Sequence, residues 1–259
     1  MKLRLICLAI TIAPTACFCL TLEIRFQNLM NLRPSKDIER VELIGKQKSS
    51  GISIFAFSEL MSKRDEKILL DSLNGDILIR SKKSFQSVGV VIKGQKLIEQ
   101  IKVWEIDDRY KRPIFLLKIN LKNQYEFYVL VNHWPSQRSK SKKRFLYLNR
   151  LTQLMPYLTG TNLILVGDFN TNKQESLKLK KVFFQFYMDN PLIDTPTYYF
   201  APYNRFYSFD QIWVRGFRVM EKAINKKYSK KILINSKEFK IPDKKKFDHF
   251  ELYLKLAVD

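Results

Sequence analysis

Eight short runs rich in Ile, Val, Phe and Tyr, spread along almost the whole chain, limit the folds open to this sequence more than any other feature. They cover residues 22–27, 52–57, 88–92, 114–120, 126–132, 162–166, 209–214 and 250–256. Each is alternating or wholly apolar over the length of a strand, as half-buried and buried strands are. Segments with helical spacing lie between them. One runs from a cap at Ser35 toward Lys48, and one covers residues 63–73 behind Ser62. A third, residues 143–158, places Phe145, Leu148, Leu151, Leu154, Met155 and Leu158 on one face. Strands interspersed with helices predict an α/β or α+β sandwich, without fixing which strands pair. No repeat and no Gly/Ser-rich or Pro-rich linker interrupts the chain, so residues 20–259 read as one domain.

The hydrophobic share of 46% excludes intrinsic disorder, and 46 Lys+Arg against 25 Asp+Glu gives a net charge of +21. Such a charge biases partners toward polyanions, namely nucleic acid, phosphorylated metabolites or an anionic membrane, although a lysine-rich, AT-biased codon usage produces it too. The lysine-dense stretch 222–246, with Lys226, Lys227, Lys230, Lys231 and the run Lys244, Lys245, Lys246, reads as a solvated loop. All three cysteines, Cys7, Cys17 and Cys19, fall in the first nineteen residues, which excludes a disulfide framework and a cysteine zinc site in the remainder. Lys2 and Arg4 precede an apolar run over residues 5–20 that is broken by Pro14, the pattern of an export signal over residues 1–19. The string Pro14-Thr15-Ala16-Cys17 adds a lipoprotein leader as an alternative, with a lipid on Cys17. The expected location is periplasmic, secreted or associated with the cell envelope, and membrane association follows only from that lipid or from a lipid substrate.

Chemistry-bearing residues cluster at the ends of the apolar runs. The two histidines of the chain are in Asn132-His133, which closes one run, and Asp248-His249, which precedes another. Gly167-Asp168-Phe169-Asn170 follows a third run, and Ser58-Glu59 follows a fourth. Asp210 lies inside Phe209-Asp210-Gln211-Ile212-Trp213-Val214, where a charge is costly without a cation or histidine beside it. Five such edges imply one polar pocket at the rim of a sheet. Its carboxylates suit Mg²⁺ or Mn²⁺, and its imidazoles suit proton transfer, a set fit for attack of water on a phosphodiester.

In order along the chain, these residues resemble the deoxyribonuclease I-like endonuclease/exonuclease/phosphatase superfamily. The matching strings are Arg25-Phe26-Gln27-Asn28-Leu29-Met30-Asn31-Leu32, Phe57-Ser58-Glu59-Leu60, Ser87-Val88-Gly89-Val90, Arg112-Pro113, Val131-Asn132-His133-Trp134-Pro135-Ser136, Val166-Gly167-Asp168-Phe169-Asn170, Phe209-Asp210-Gln211-Ile212 and Asp248-His249-Phe250. Asn-His-Trp-Pro-Ser looks most like the secreted or periplasmic bacterial nucleases of the group. The resemblance implies a four-layer α/β sandwich, two face-to-face mixed β-sheets flanked by helices. It implies a divalent metal, Mg²⁺ or Mn²⁺, on Glu59 with Asn28 and Asp248 close by. Asp168 would orient or activate water, and Asn170 would hold a phosphate oxygen. His249 paired with Asp210 would act as base or stabilise the transition state, His133 would face the phosphate as acid or hydrogen-bond donor, and Arg112 would contact phosphate.

The implied activity is exported, metal-dependent hydrolysis of nucleic acid, DNA before RNA, with low sequence specificity and no protein partner. A sphingomyelinase or another phosphatase of the superfamily is the alternative, and a non-catalytic binding protein on the same fold is a third reading. No exposed-looking aromatic hairpin for lipid stands out, although residues 198–207 are left without a role. The sequence departs from the pattern at Phe247, where Ser is usual, at Glu251, where Pro is common, at Ser58, where Gln is usual, and at Met61, where the vertebrate enzyme has a DNA-contacting arginine.

Overall fold

The structure, a computed structural model, describes residues 20–34, 36–44, 51–61, 66–82, 87–106, 112, 114–139, 141–193, 195–200, 205–226, 229–234, 237–242 and 248–258. The proposed leader, the caps Ser35 and Ser62, Lys244 to Lys246 and Phe247 lie outside these residues. In chain order the elements are β1 (Leu20–Leu32), α1 (Ile38–Ile44), β2 (Ile52–Leu60), α2 (Glu66–Ser72), β3 (Ile77–Arg80), β4 (Ser87–Lys93), β5 (Ile98–Ile106), β6 (Ile114–Leu121), β7 (Glu126–His133) and α3 (Ser141–Leu154). There follow β8 (Asn162–Asp168), α4 (Lys173–Gln185), β9 (Tyr198–Phe200), β10 (Arg205–Tyr207), β11 (Asp210–Arg215), β12 (Arg218–Asn225), β13 (Ser229–Ile234), β14 (Lys237–Pro242) and β15 (Glu251–Val258).

Two mixed sheets dominate, one with strand order β12-β15-β1-β2-β4-β3 and one with order β11-β8-β7-β6-β5. Strand alternation explains how they stack. Leu22, Ile24 and Phe26 of β1 and Ile54 and Ala56 of β2 share a core with Val129 and Val131 of β7 and Ile164 and Val166 of β8, so these faces meet each other. The alternate residues face outward and are still covered. Phe55 and Phe57 pack with Val41, Ile44 and Leu69 of α1 and α2. Leu163 and Leu165 pack with Tyr147, Leu151, Leu179 and Phe183 of α3 and α4. Burial on both faces is why β2 and β8 are apolar almost throughout, and it yields four layers, helix, sheet, sheet and helix. The expected four-layer sandwich is the observed one.

The strand runs read from sequence all fall in strands, but other elements were not foreseen. β5 and β12 expose much of their length, and α4 buries only Glu175, Leu179 and Phe183, so their apolar periodicity is weak. The start of α4 did carry a local signal. Asn172 caps it by accepting from Glu175 N at 2.9 Å, while Glu175 accepts from Asn172 N at 3.0 Å, a reciprocal capping box. The lysine-dense stretch read as a loop instead contains part of β12 and the β13–β14 hairpin, in which Lys231 stands opposite Lys240. Within residues 198–207, left without a role, β9 and β10 pair antiparallel, with Tyr198 opposite Tyr207 and Phe200 opposite Arg205.

Candidate active site

Chain direction brings the polar run ends to one rim of the sandwich. Parallel strands β1 and β2 reach it at Asn28 and Glu59, and parallel strands β7 and β8 reach it at His133 and Asp168. β11, antiparallel to β8, starts there with Asp210 opposite Asp168, and β15, antiparallel to β1, starts just after Asp248 and His249. The approach of β7 to β8 depends on glycine, because a Cβ on Gly167 would stand 2.0 Å from the carbonyl oxygen of Asn132. The next pair in that register is His133 with Asp168.

The loops leaving the rim are tied down. Rings of Trp134 and Phe169 lie 5.0 Å apart, and Phe183 and Trp213 extend the cluster into α4 and β11. Beneath the loops a buried ion pair joins α3 to α4, with Arg144 Nη2 2.9 Å from Glu175 Oε1. The same guanidinium donates to the carbonyls of Ser136 at 2.8 Å and Ser139 at 3.1 Å, fixing the segment after His133. Glu251, at a position where proline is common, pairs with Arg25 and accepts from Asn225, so the departure is structural support for β15.

Within the pocket, His249 Nδ1 is 2.6 Å from Asp210 Oδ2. Asn28 Nδ2 donates to Asp168 Oδ2 at 3.0 Å, and the Asn170 backbone N–H donates to Asp168 Oδ1 at 2.9 Å. Asn170 Nδ2 donates to the Trp134 carbonyl at 3.1 Å. Arg112 Nη1 lies 2.8 Å from His133 Nε2, and Glu59 Oε1 is 3.4 Å from the same nitrogen. A guanidinium only donates, so Nε2 accepts and the proton of a neutral His133 sits on Nδ1. Glu59 and Asn170 hold left-handed backbone at φ 65° and 49°, as do Met30 and Asn31 at 49° and 57°. Non-glycine residues rarely adopt this conformation, and here four of them surround one pocket.

Electrostatics divide the two histidines. Burial, reinforced by Arg112 and His249, pushes His133 well below the ordinary imidazole value and keeps it neutral. Burial also opposes charge on His249, but Asp210, Asp248 and Asp168 together outweigh it and raise the imidazole to about 10. Burial lifts Asp168 to about 7, against the opposing effect of His249. Burial, with Asp248 adding to it, raises Glu59 as well.

Among the described residues, the acids and histidines with ligand-type atoms all within 4.8 Å of one another are Asp168, Asp210 and His249. With Nδ1 of His249 engaged by Asp210, this trio is a hydrogen-bonded Asp–His pair beside Asp168 rather than a cation cage. The oxygen donors expected to take a metal stand beside it. Asp248 Oδ1 is buried without a hydrogen-bond partner, and Glu59 is raised by burial with Asp248 adding to it, so Glu59, Asp248 and the Asn28 amide fit a hard divalent cation. All the candidate residues read from sequence therefore line this one rim. Sequence reading missed Arg40, whose Nη2 donates to the carbonyls of Leu29 and of Met30, the latter at 3.2 Å. It also missed Gln27, which donates to the His249 carbonyl at 3.0 Å, and Tyr198, whose ring lies 4.9 Å from that of His249. A lone arginine in a polar helix carries no signal of its own.

No family model matches the sequence, and no curated protein does. Solved structures match in fold. An endonuclease/exonuclease/phosphatase family protein from Bacteroides thetaiotaomicron superimposes with a TM-score of 0.67 at 16% identity, over 93% of this chain and 99% of that one. D. rerio TDP2 complexed with single strand DNA product gives 0.68 at 12% identity, over 92% and 99%. The inositol polyphosphate 5-phosphatase domain of SPsynaptojanin, in complex with inositol (1,4)-bisphosphate and calcium ion, gives 0.54 at 11% identity, over 93% and 84%.

Proposed function

On the deoxyribonuclease I-like fold of the endonuclease/exonuclease/phosphatase superfamily, we propose that this chain is an exported, divalent-metal-dependent phosphodiesterase that cleaves nucleic acid, DNA before RNA, with low sequence specificity. The observation that carries this reading is the Asp210–His249 pair meeting His133, Asp168, Asn170 and Glu59 at one rim. The net charge of +21 supports a polyanionic substrate, and binding then weakens steeply with salt. The single-stranded DNA product bound by the D. rerio relative supports the same class. The basic, apolar run in residues 1–19 supports export.

Each residue has a part that its surroundings suit. Glu59, Asn28 and Asp248 would hold Mg²⁺, or Mn²⁺, and the ion would supply charge neutralisation at the phosphoryl oxygens. Asp168, raised to about 7 and oriented by Asn28 and Asn170, is poised to take the proton of an attacking water. His249, raised to about 10, carries positive charge at neutral pH, so it stabilises the phosphorane rather than acting as base, with Asp210 holding its orientation. His133 cannot donate from Nε2 while Arg112 occupies that nitrogen. A phosphate that draws Arg112 to itself frees Nε2 of His133, and exchange of the ring proton from Nδ1 to Nε2 then lets the imidazole donate to the oxyanion, so the two act in sequence.

A lipid phosphodiester is the second reading, favoured by the aromatic β9–β10 hairpin joined to His249 through a bridge at Tyr198. One experiment separates them. The mature protein is incubated with plasmid, single-stranded DNA, RNA, sphingomyelin and inositol phosphates, with Mg²⁺ or EDTA, beside His133→Ala and His249→Ala. Metal-dependent nucleic-acid cleavage lost in both variants is the expected result. No such cleavage under any metal condition, or cleavage that survives both substitutions, overturns the proposal.

A further inference from the structure

The helical layer over the five-stranded sheet has a charge pattern unlike that of the chain as a whole. Residues 141–187 contain 8 of the 46 cationic residues, an ordinary density, but only two of the 25 acids. Those two, Asp168 and Glu175, are both buried, one in the pocket and one against Arg144. The outside of α3 and α4 therefore presents Lys142, Lys143, Lys173, Lys178 and Lys181 with no exposed carboxylate.

The same face carries exposed apolar groups. Leu146, Leu177 and Phe184 project among the lysines, and Tyr157 and Tyr187 are 85% and 86% exposed. Both helices follow parallel strands that end at the catalytic rim, so both run away from it. Lys142, Lys143 and Lys173 lie at the rim end, and the two tyrosines lie at the far end.

We infer that the outer face of α3 and α4 docks on an anionic lipid bilayer. Lysines without competing acids meet the negative headgroups, while leucine and aromatic side chains enter the boundary between headgroups and acyl chains. Tyrosine is at home at that depth, apolar in its ring and wet at its hydroxyl. A sugar–phosphate backbone satisfies only half of this surface, because it leaves Leu177, Phe184 and Tyr187 in water. Charge complementarity and interleaved apolar groups together favour the bilayer. The docking face is a layer removed from the catalytic groups and independent of what they cleave.

The test is cosedimentation, in EDTA, with mixed phosphatidylglycerol/phosphatidylcholine vesicles and with pure phosphatidylcholine vesicles. Wild-type protein is compared with Lys178→Glu/Lys181→Glu and with Leu177→Glu/Tyr187→Glu, all at exposed positions. Expected are binding to the anionic vesicles that falls with salt, at least ~10-fold weaker binding in each double variant, and, in a separate vesicle-free assay with Mg²⁺, unchanged cleavage of a short soluble DNA. Failure of the wild type to bind anionic vesicles, or variants that bind as tightly as wild type, overturns the inference. A loss of DNA binding with vesicle binding unmoved also overturns it and marks the face as a polynucleotide surface. EDTA separates these outcomes from any failure of the catalytic reading.

Discussion

Nδ1 of His249 lies 2.6 Å from Oδ2 of Asp210, while the other oxygen of that carboxylate, also buried, has no hydrogen-bond partner. The carboxylate is thus committed to one imidazole. Asp210→Asn keeps the shape and removes the charge that holds His249 in its cationic form. Expected is a fall in turnover of ~10²–10⁴ with little change in KM, and an alkaline limb of the pH–rate profile moved to lower pH. Steady-state kinetics across pH check this, and an unchanged alkaline limb would show that the pair is structural.

The pocket also sets how the metal-free protein responds to pH. His249 is raised from 6.5 to about 10 and Asp168 from 3.8 to about 7, so the folded chain retains protons that the unfolded chain releases. Stability from both groups is greatest at low pH and is lost as pH rises through 7 and toward 10. His133, lowered by burial, acts oppositely and costs stability as pH falls below 6.5. Melting in EDTA is therefore expected to change little where Asp168 and His133 oppose each other and to decline as pH rises above about 6.5, with Mg²⁺ restoring part of the loss at pH 8 to 9. A melting temperature flat over that range contradicts the arrangement.

Much of this architecture was legible because the signals were local. Phe209-Asp210-Gln211-Ile212 announced a charge within a buried strand, and β8 with its terminal Asp168 read as strand and site together. What was not legible depends on distant partners. Arg40 matters only because α1 packs under the end of β1, and Tyr198 only because a hairpin returns it to His249. The lysine-dense segment misled because β12 exposes most of its side chains, so charge overrode the period-two pattern that marks a half-buried strand.

Gly167 fixes the spacing of the two strands that present His133 and Asp168. Gly167→Ala places a methyl 2.0 Å from the Asn132 carbonyl oxygen, and backbone on both strands has to move. The expected cost is ~1–3 kcal/mol in urea unfolding, as for other overpacked sites. Because His133 and Asp168 form the next pair along, activity in conditions where the variant is fully folded is expected to fall as well. A variant of wild-type stability and rate would show that the strands separate freely.

Arg40 is expected to govern metal affinity without touching the metal. Its guanidinium holds the carbonyls of Leu29 and Met30, at the point where β1 turns through two consecutive left-handed residues. That turn aims the Met30 N–H at Asn28 Oδ1, 2.9 Å away, and the Asn31 N–H at Glu59 Oε2, 3.1 Å away. Two candidate metal-holding side chains thus take their orientation from backbone that Arg40 braces. Arg40→Met keeps the aliphatic stem and removes the brace, and supports of this kind typically contribute 10–100-fold in metal affinity. Calorimetric titration with Mn²⁺ is expected to show a loss of ~10-fold or more, partial rescue by Arg40→Lys, and turnover that recovers at saturating metal. Hydrogen exchange at the Asn31 amide supplies a readout independent of any metal, and it should quicken in Arg40→Met while the melting temperature stays close to wild type. Wild-type exchange at Asn31 together with wild-type Mn²⁺ affinity would remove Arg40 from the site.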